Sequence, residues 1–167
     1  MFDIASPLGR LRAIARRRLP LLAIAAIAIC SPVSGRSSEP VELPEVVQGL
    51  WQPDTDEGKA ACRRYLAAPD GSDEAWSALV GALIVHPALL HHVSDMGEGN
   101  FIEVDAVEPA GAVSWHVRGR LGIDGEAEPG APRVEAVLVL EGPALTLRET
   151  LGTDVFDYRY ARCTRAP

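Results

Sequence analysis

The sequence predicts an all-β domain, an up-and-down antiparallel β-barrel of about eight strands with one short helix after the first strand. Three observations predict it. Short apolar or alternating runs start every nine to thirteen residues from Trp76 onward. Turn-forming residues separate them. Within the runs the side chains segregate with a period of two, which a strand uses and a helix does not.

Residues 44–52 read as the first strand, carrying Gly49-Leu50-Trp51. Asp54 or Thr55 then caps a helix over 56–67, where Ala60, Ala61, Arg64, Tyr65 and Leu66 are the helix formers and Cys62 sits mid-way. Pro69-Asp70-Gly71-Ser72 ends it with turn chemistry. The remaining strands fall at about 78–86, 88–95, 101–108, 112–121, 133–141, 144–151 and 155–163. His86-Pro87, Gly97-Glu98-Gly99-Asn100, Glu108-Pro109-Ala110-Gly111, Gly142-Pro143 and Gly152-Thr153-Asp154 are the turns between them.

Alternation assigns the faces. Over 112–121, Val113, Trp115, Val117 and Leu121 share one side, and Ser114, His116, Arg118 and Arg120 share the other. Over 101–107, Ile102, Val104 and Ala106 oppose Glu103 and Asp105. Val134, Ala136, Leu138 and Leu140 form the next inward set. In the last strand Phe156, Tyr158, Tyr160 and Arg162 share a side, and Cys163 points to the other. Eight strands, each joined to the next, can close, and closure removes exposed edges.

The N-terminus differs in kind. Arg10, Arg12, Arg16, Arg17 and Arg18 form a positive region, followed by an apolar run from Leu19 to Cys30 broken only by Pro20. Twelve helical residues reach about 18 Å, well short of a bilayer core of about 30 Å. This pattern suits a secretory signal better than a transmembrane segment. Val33-Ser34-Gly35 offers small residues at both positions a signal peptidase inspects. The expected organisation is a signal peptide over 1–35, a flexible leader over 36–43 and a single β-barrel domain over 44–167, in a periplasmic or secreted protein. Two other readings exist for this stretch. Cys30 as a lipidation site is disfavoured by the branched Ile29 before it, and the residues after the arginines fit a twin-arginine signal poorly.

The whole chain has 16 basic and 23 acidic residues, a net charge of −7. Without the five Arg and one Asp of residues 1–35, 11 basic and 22 acidic residues remain, a net of −11. Phosphate binding needs clustered Lys and Arg, so nucleic acid is excluded as a partner and an anionic membrane surface is disfavoured. The same cut leaves two cysteines, Cys62 and Cys163. An even pair in an exported protein reads as a disulfide, and that bridge would pin the helix to the outer wall or rim of the barrel. Two free thiols are the alternative; zinc is less favoured, because nothing near either cysteine has ligand spacing.

Gly49-Leu50-Trp51 on a first strand, ahead of an all-β meander, resembles the lipocalin and wider calycin group. The resemblance implies that Trp51 sits at a closed end of the barrel with an Arg of the last strand packed over it, either Arg162 or Arg159. Thr153-Asp154 ahead of Tyr158 is also similar to a second lipocalin motif, T-D-x-x-x-Y, although here it arrives at the last strand, out of the family's order. Small bacterial calycin-like protease inhibitors share the G-x-W start and a nearby cysteine.

Several residues invite a chemical reading. His86, His91 and His92 lie within seven residues, yet His91 and His92 are adjacent on a strand and must face opposite ways, and only Asp95 is near; no metal site is expected. The Asp95–Asn100 stretch reads as a hairpin connection. Gly122 to Pro132 is the longest connection in the β region and is acidic through Asp124, Glu126 and Glu128. Glu149 shares an apolar face with Leu145, Leu147 and Leu151; if buried, it must be paired, by Arg162 or a Tyr hydroxyl, or stay protonated. No motif for nucleophilic catalysis is present, so neither a catalytic residue nor a cofactor is expected.

The leading expectation is an exported, non-catalytic, lipocalin-like binding module of the bacterial envelope. It would hold a small apolar ligand against Trp115, Val117, Ile102, Val104, Leu138, Tyr158, Tyr160 and Glu149. The alternative is an interaction module, such as a calycin-type hydrolase inhibitor, whose partner is another envelope protein met through the N-terminal segment or the rim loops. A hollow barrel favours the first and a packed one the second. A third, metal-dependent enzyme would use the three histidines.

Overall fold

The computed structural model describes residues 41–95 and 98–164; the signal segment and Cys30 lie outside them. Eight antiparallel strands, each paired with its neighbour in chain order, close into a barrel. They are β1 (Gly49–Pro53), β2 (Leu83–His86), β3 (Leu89–Val93), β4 (Gly99–Gly111), β5 (Ser114–Ile123), β6 (Arg133–Glu141), β7 (Ala144–Leu151) and β8 (Asp154–Arg162). Closure comes from β8 returning to β1, with Trp51 opposite Arg162 and Pro53 opposite Tyr160.

Two helices occupy the β1–β2 connection where one was expected. The first, α1 (Asp56–Ala67), has the expected bounds, and its Thr55 side chain accepts from Gly58 N. The second, α2 (Asp73–Leu79), takes the start of the predicted 78–86 strand. Ser72 caps it by accepting from Ala75 N, acidic Asp73 and Glu74 stand in its first turn, and Ala75, Ala78 and Leu79 are buried at helical spacing. The predicted strand over 44–52 is likewise shorter. Glu45–Val47 form a single 3-10 turn, and Gly49, at φ 125°, starts the strand in a conformation other residues rarely adopt. Leu43, assigned to a flexible leader, is buried, and its N–H donates to Pro87 O.

The face assignments hold with two corrections. In β5, Trp115, Val117 and Leu121 pack inward, but Val113 is in the preceding turn and exposed. In β4, a register shift between Val104 and Ala106 changes the alternation, so Val107 packs on the core while Ala106 lies opposite the outward Arg118. β4 also continues to Gly111, through the predicted 108–111 turn. The lower and middle interior is filled by Trp51, Leu83, Leu90, Leu138, Leu145 and Leu147, each with 0% exposure.

On the outside, Leu79, Ala82 and Val93 form a second cluster with Leu50, Tyr65 and Ile84. The helices therefore cover the outer wall of β1 to β3. Cys62 on α1 is bonded to Cys163 after β8, with Cα atoms 5.5 Å apart. Gln52 Nε2 adds a bond to Ala78 O at 2.9 Å, tying α2 to β1.

Two outcomes follow from this packing. Replacing both Cys62 and Cys163 by Ala is expected to lower stability by about 2–4 kcal/mol, read as a shift in the urea midpoint that the reduced wild type reproduces. Gly58→Ala is expected to destabilise although Ala is the better helix former by about 1 kcal/mol. A Cβ there would lie 2.0 Å from Pro53 O. Relieving that backbone clash should cost about 1–3 kcal/mol and win, giving a net loss of stability in the same titration.

Candidate functional site: the open end of the barrel

The two ends of the barrel are built differently. At the end where β1 begins, the 3-10 turn packs into the interior. Trp51 Nε1 donates to Val47 O at 2.8 Å. The Arg162 guanidinium lies 4.3 Å from the centre of the Trp51 ring and donates to the carbonyls of Gln48 and Val46. Arg159 points elsewhere and pairs with Asp54 and Glu141. This end is shut by aromatic, cationic and backbone groups that satisfy one another.

The residues expected to line a ligand separate into two sets. Trp115, Val117 and Leu138 belong to the packed core, and Val104 packs against it. Ile102, Glu149 and Tyr158 face a cavity of about 150 Å³ near the opposite end, together with His92, Asn100 and Leu121. Tyr160 lines an adjoining cleft of about 430 Å³ that shares His92, Asn100, Glu149 and Tyr158. The Phe156 side chain also reaches the cavity from the start of β8 and is 43% exposed.

A polar relay spans this end. Glu149 on β7 is buried, and its Oε1 lies 2.6 Å from His92 Nε2 on β3. The Tyr160 hydroxyl lies 3.3 Å from His92 Nδ1. A neutral imidazole satisfies both contacts when Nε2–H donates to the carboxylate and Nδ1 accepts from the phenol. The partner of Glu149 is thus a histidine, and Arg162, proposed for that role, is at the other end of the barrel. The sequence carries half of this: with Leu90 facing the core, His92, two residues on, must face inward as well, but which carboxylate it meets is set by the closed topology.

His91 faces outward and stacks on Phe101, with ring centres 4.0 Å apart. His86 is exposed at the end of β2. Among the described residues no group of three or more His, Cys, Asp or Glu is placed to hold a metal ion.

The backbone around His92 is held closely. Gly99 N donates to Asp124 Oδ1 at 3.0 Å, and Asp124 N returns a bond to Gly99 O at 2.8 Å. Gly99 has φ 138°, and a Cβ on it would lie 2.0 Å from His92 O. Only glycine lets β4 approach β3 here, which places Asn100 beside His92.

Burial, then the nearby Glu149 carboxylate, raises the Tyr158 phenol above its ordinary pKa. The same two causes, with Tyr158 adding to them, hold the Tyr160 phenol far above the usual tyrosine range. Both phenols therefore act as neutral hydrogen-bonding groups at ordinary pH.

His92→Leu leaves Glu149 buried without its partner and is expected to cost about 2–4 kcal/mol in a urea titration near neutral pH; the double change His92→Leu with Glu149→Leu should recover most of that loss. Tyr158 and Tyr160 also give a signed pH dependence. Below about pH 10 tyrosines are protonated in both states and contribute none. Above it the unfolded phenols ionise while these two resist, so stability should fall as pH rises. Phenolate absorbance of the folded protein should show only part of its tyrosine titrating in the ordinary range.

Compared with protein-family models, with curated proteins and with solved structures, the chain matches none.

Proposed function

We propose that the chain is the precursor of an exported, non-catalytic binding module of the bacterial envelope, lipocalin-like in build, that takes a small, mainly apolar ligand at the open end of its barrel. One observation carries this reading: the barrel is shut at one end by Trp51, Arg162 and Val47 and keeps a cavity of about 150 Å³ toward the other. A space of that size has room for a single six-membered ring. Gly49-Leu50-Trp51 with Arg162 over the Trp ring supports the likeness to the lipocalin group. The Cys62–Cys163 bridge supports an oxidising compartment. No described helix is long and apolar enough to cross a membrane.

Ile123, Val155 and Phe156 are exposed on the strand ends around the cavity and favour a second reading, contact with another envelope protein. Native mass spectrometry of the full chain expressed in a bacterium and fractionated by compartment separates the two. The expected species is periplasmic, shortened by about 35 residues, oxidised, and carrying a small-molecule adduct. A protein adduct in its place supports the second reading. A full-length reduced product confined to the cytoplasm rules out export.

A further inference from the structure

We propose that the ligand taken at the open end is a small ring-bearing organic cation, an arylalkyl ammonium, with Glu149 as its anionic partner. This rests on the ligand-binding reading above and narrows it. The first observation is a single carboxylate in a cavity whose other walls are apolar and aromatic apart from His92 and Asn100. Glu149 is only 8% exposed, and its Oε1 is engaged by His92. Its Oε2 has no hydrogen-bond partner among the described residues, nor do the Tyr158 hydroxyl and the Asn100 amide. Oε2 is not sealed from solvent, so it is free to accept a charge-assisted bond from a ligand N–H that enters the opening.

The second observation is the shape and chemistry of the walls. Phe156 and Tyr158 line the cavity beside the carboxylate, and Tyr160 and His92 stand next to Tyr158, with ring centres 6.0 Å and 5.2 Å from it. Aromatic faces attract an organic cation through their quadrupoles. A metal ion is poorly served, since hard divalent cations take six or more oxygens and this cavity offers one carboxylate.

The third observation is the field around the opening. The hairpin connections at this end, over residues 94–98, 124–132 and 152–153, carry Asp95, Glu98, Asp124, Glu126 and Glu128; Arg133 and Asp154 flank them, and the β1–β2 connection adds Asp54, Asp56, Glu57, Asp70, Asp73 and Glu74 against Lys59, Arg63 and Arg64, so acidic groups are in excess. At the closed end the hairpin turns over 87–88, 112–113 and 142–143 carry no charged side chain, and Glu45 is on the 3-10 turn. An opening with an excess of one sign of charge around it concentrates ions of the other sign.

The test uses the disulfide-bonded protein with three probes that share one ring and differ in polar group, benzylamine, benzyl alcohol and toluene, titrated by calorimetry and ligand-observed NMR. Benzylamine, protonated at neutral pH, is expected to bind roughly tenfold or more tightly than either neutral probe, the scale of one charged hydrogen bond. Its affinity should weaken as salt is raised. In Glu149→Gln the preference for the amine should vanish. Should that variant misfold by circular dichroism, the ranking of the three probes on the wild type decides alone. Toluene or benzyl alcohol binding as well as benzylamine overturns the cationic ligand and leaves the binding module standing. Failure of all three probes to bind overturns both.

Discussion

The pairing of β1 with β8 is the constraint on which the rest of the molecule depends. It is made by a five-residue strand, and Trp51 holds its register. With Leu83 opposite on one side and Arg162 on the other, Trp51 can only point inward, and a slip of one residue would turn it out of the barrel. The same register puts Arg162 over the indole and, one residue later, Cys163 on the outer wall within reach of Cys62. The backbone continues the lock, since Cys163 N donates to Leu50 O at 2.9 Å. Closure, the shut end and the position of α1 are thus one event rather than three.

That economy does not extend to the open end. At the closed end the Trp51 indole, the Arg162 guanidinium and the Gln48 amide are answered by the chain's own carbonyls. At the open end a histidine and a carboxylate from opposite sides of the barrel meet over the core. Burying such a pair brings little stability, because desolvation offsets most of the attraction and an apolar pair of similar volume does as well or better. His92 and Glu149 are therefore poorly explained as structural groups. Their place in the wall of a cavity, with one carboxylate oxygen unpaired, gives them a use the fold alone does not supply.

The parts of this arrangement that were legible in the sequence are those with a strict period. β6 and β7 occupy the predicted 133–141 and 144–151, and α1 the predicted 56–67, because alternation or a cap marks each boundary. The helix α2 was missed because seven residues are too few for a helical period to show against the strand that follows. The bulge at Asp105 was missed because it alters parity without leaving a compositional mark. The disulfide pairing was legible by count. The partner of Glu149 was not: His92 is 57 positions away, and only the closed topology brings β3 and β7 face to face. Which inward residues fill the barrel and which line a space depends on volumes in three dimensions, and Trp115, Val117 and Leu138 were assigned to the wrong side of that division.

An eight-stranded barrel has an interior just wide enough either to be filled by its own side chains or to hold one small ligand. This chain does both, in layers. Large aliphatic and indole groups occupy the lower and middle layers, so a ligand cannot pass through the centre. Gly119 faces the interior opposite Val104, and the space its missing side chain leaves is taken by Ile102, whose Cγ2 would lie 2.7 Å from a Cβ there. The core is thereby sealed below the cavity. What remains is a cavity of about 150 Å³ beside the cleft it adjoins, so only a few groups near this end could meet a ligand. In a deep lipid-filled barrel, affinity would come from buried apolar area. Here the available area is small, and for a ligand of the kind proposed a single oriented charge would weigh more than the walls do.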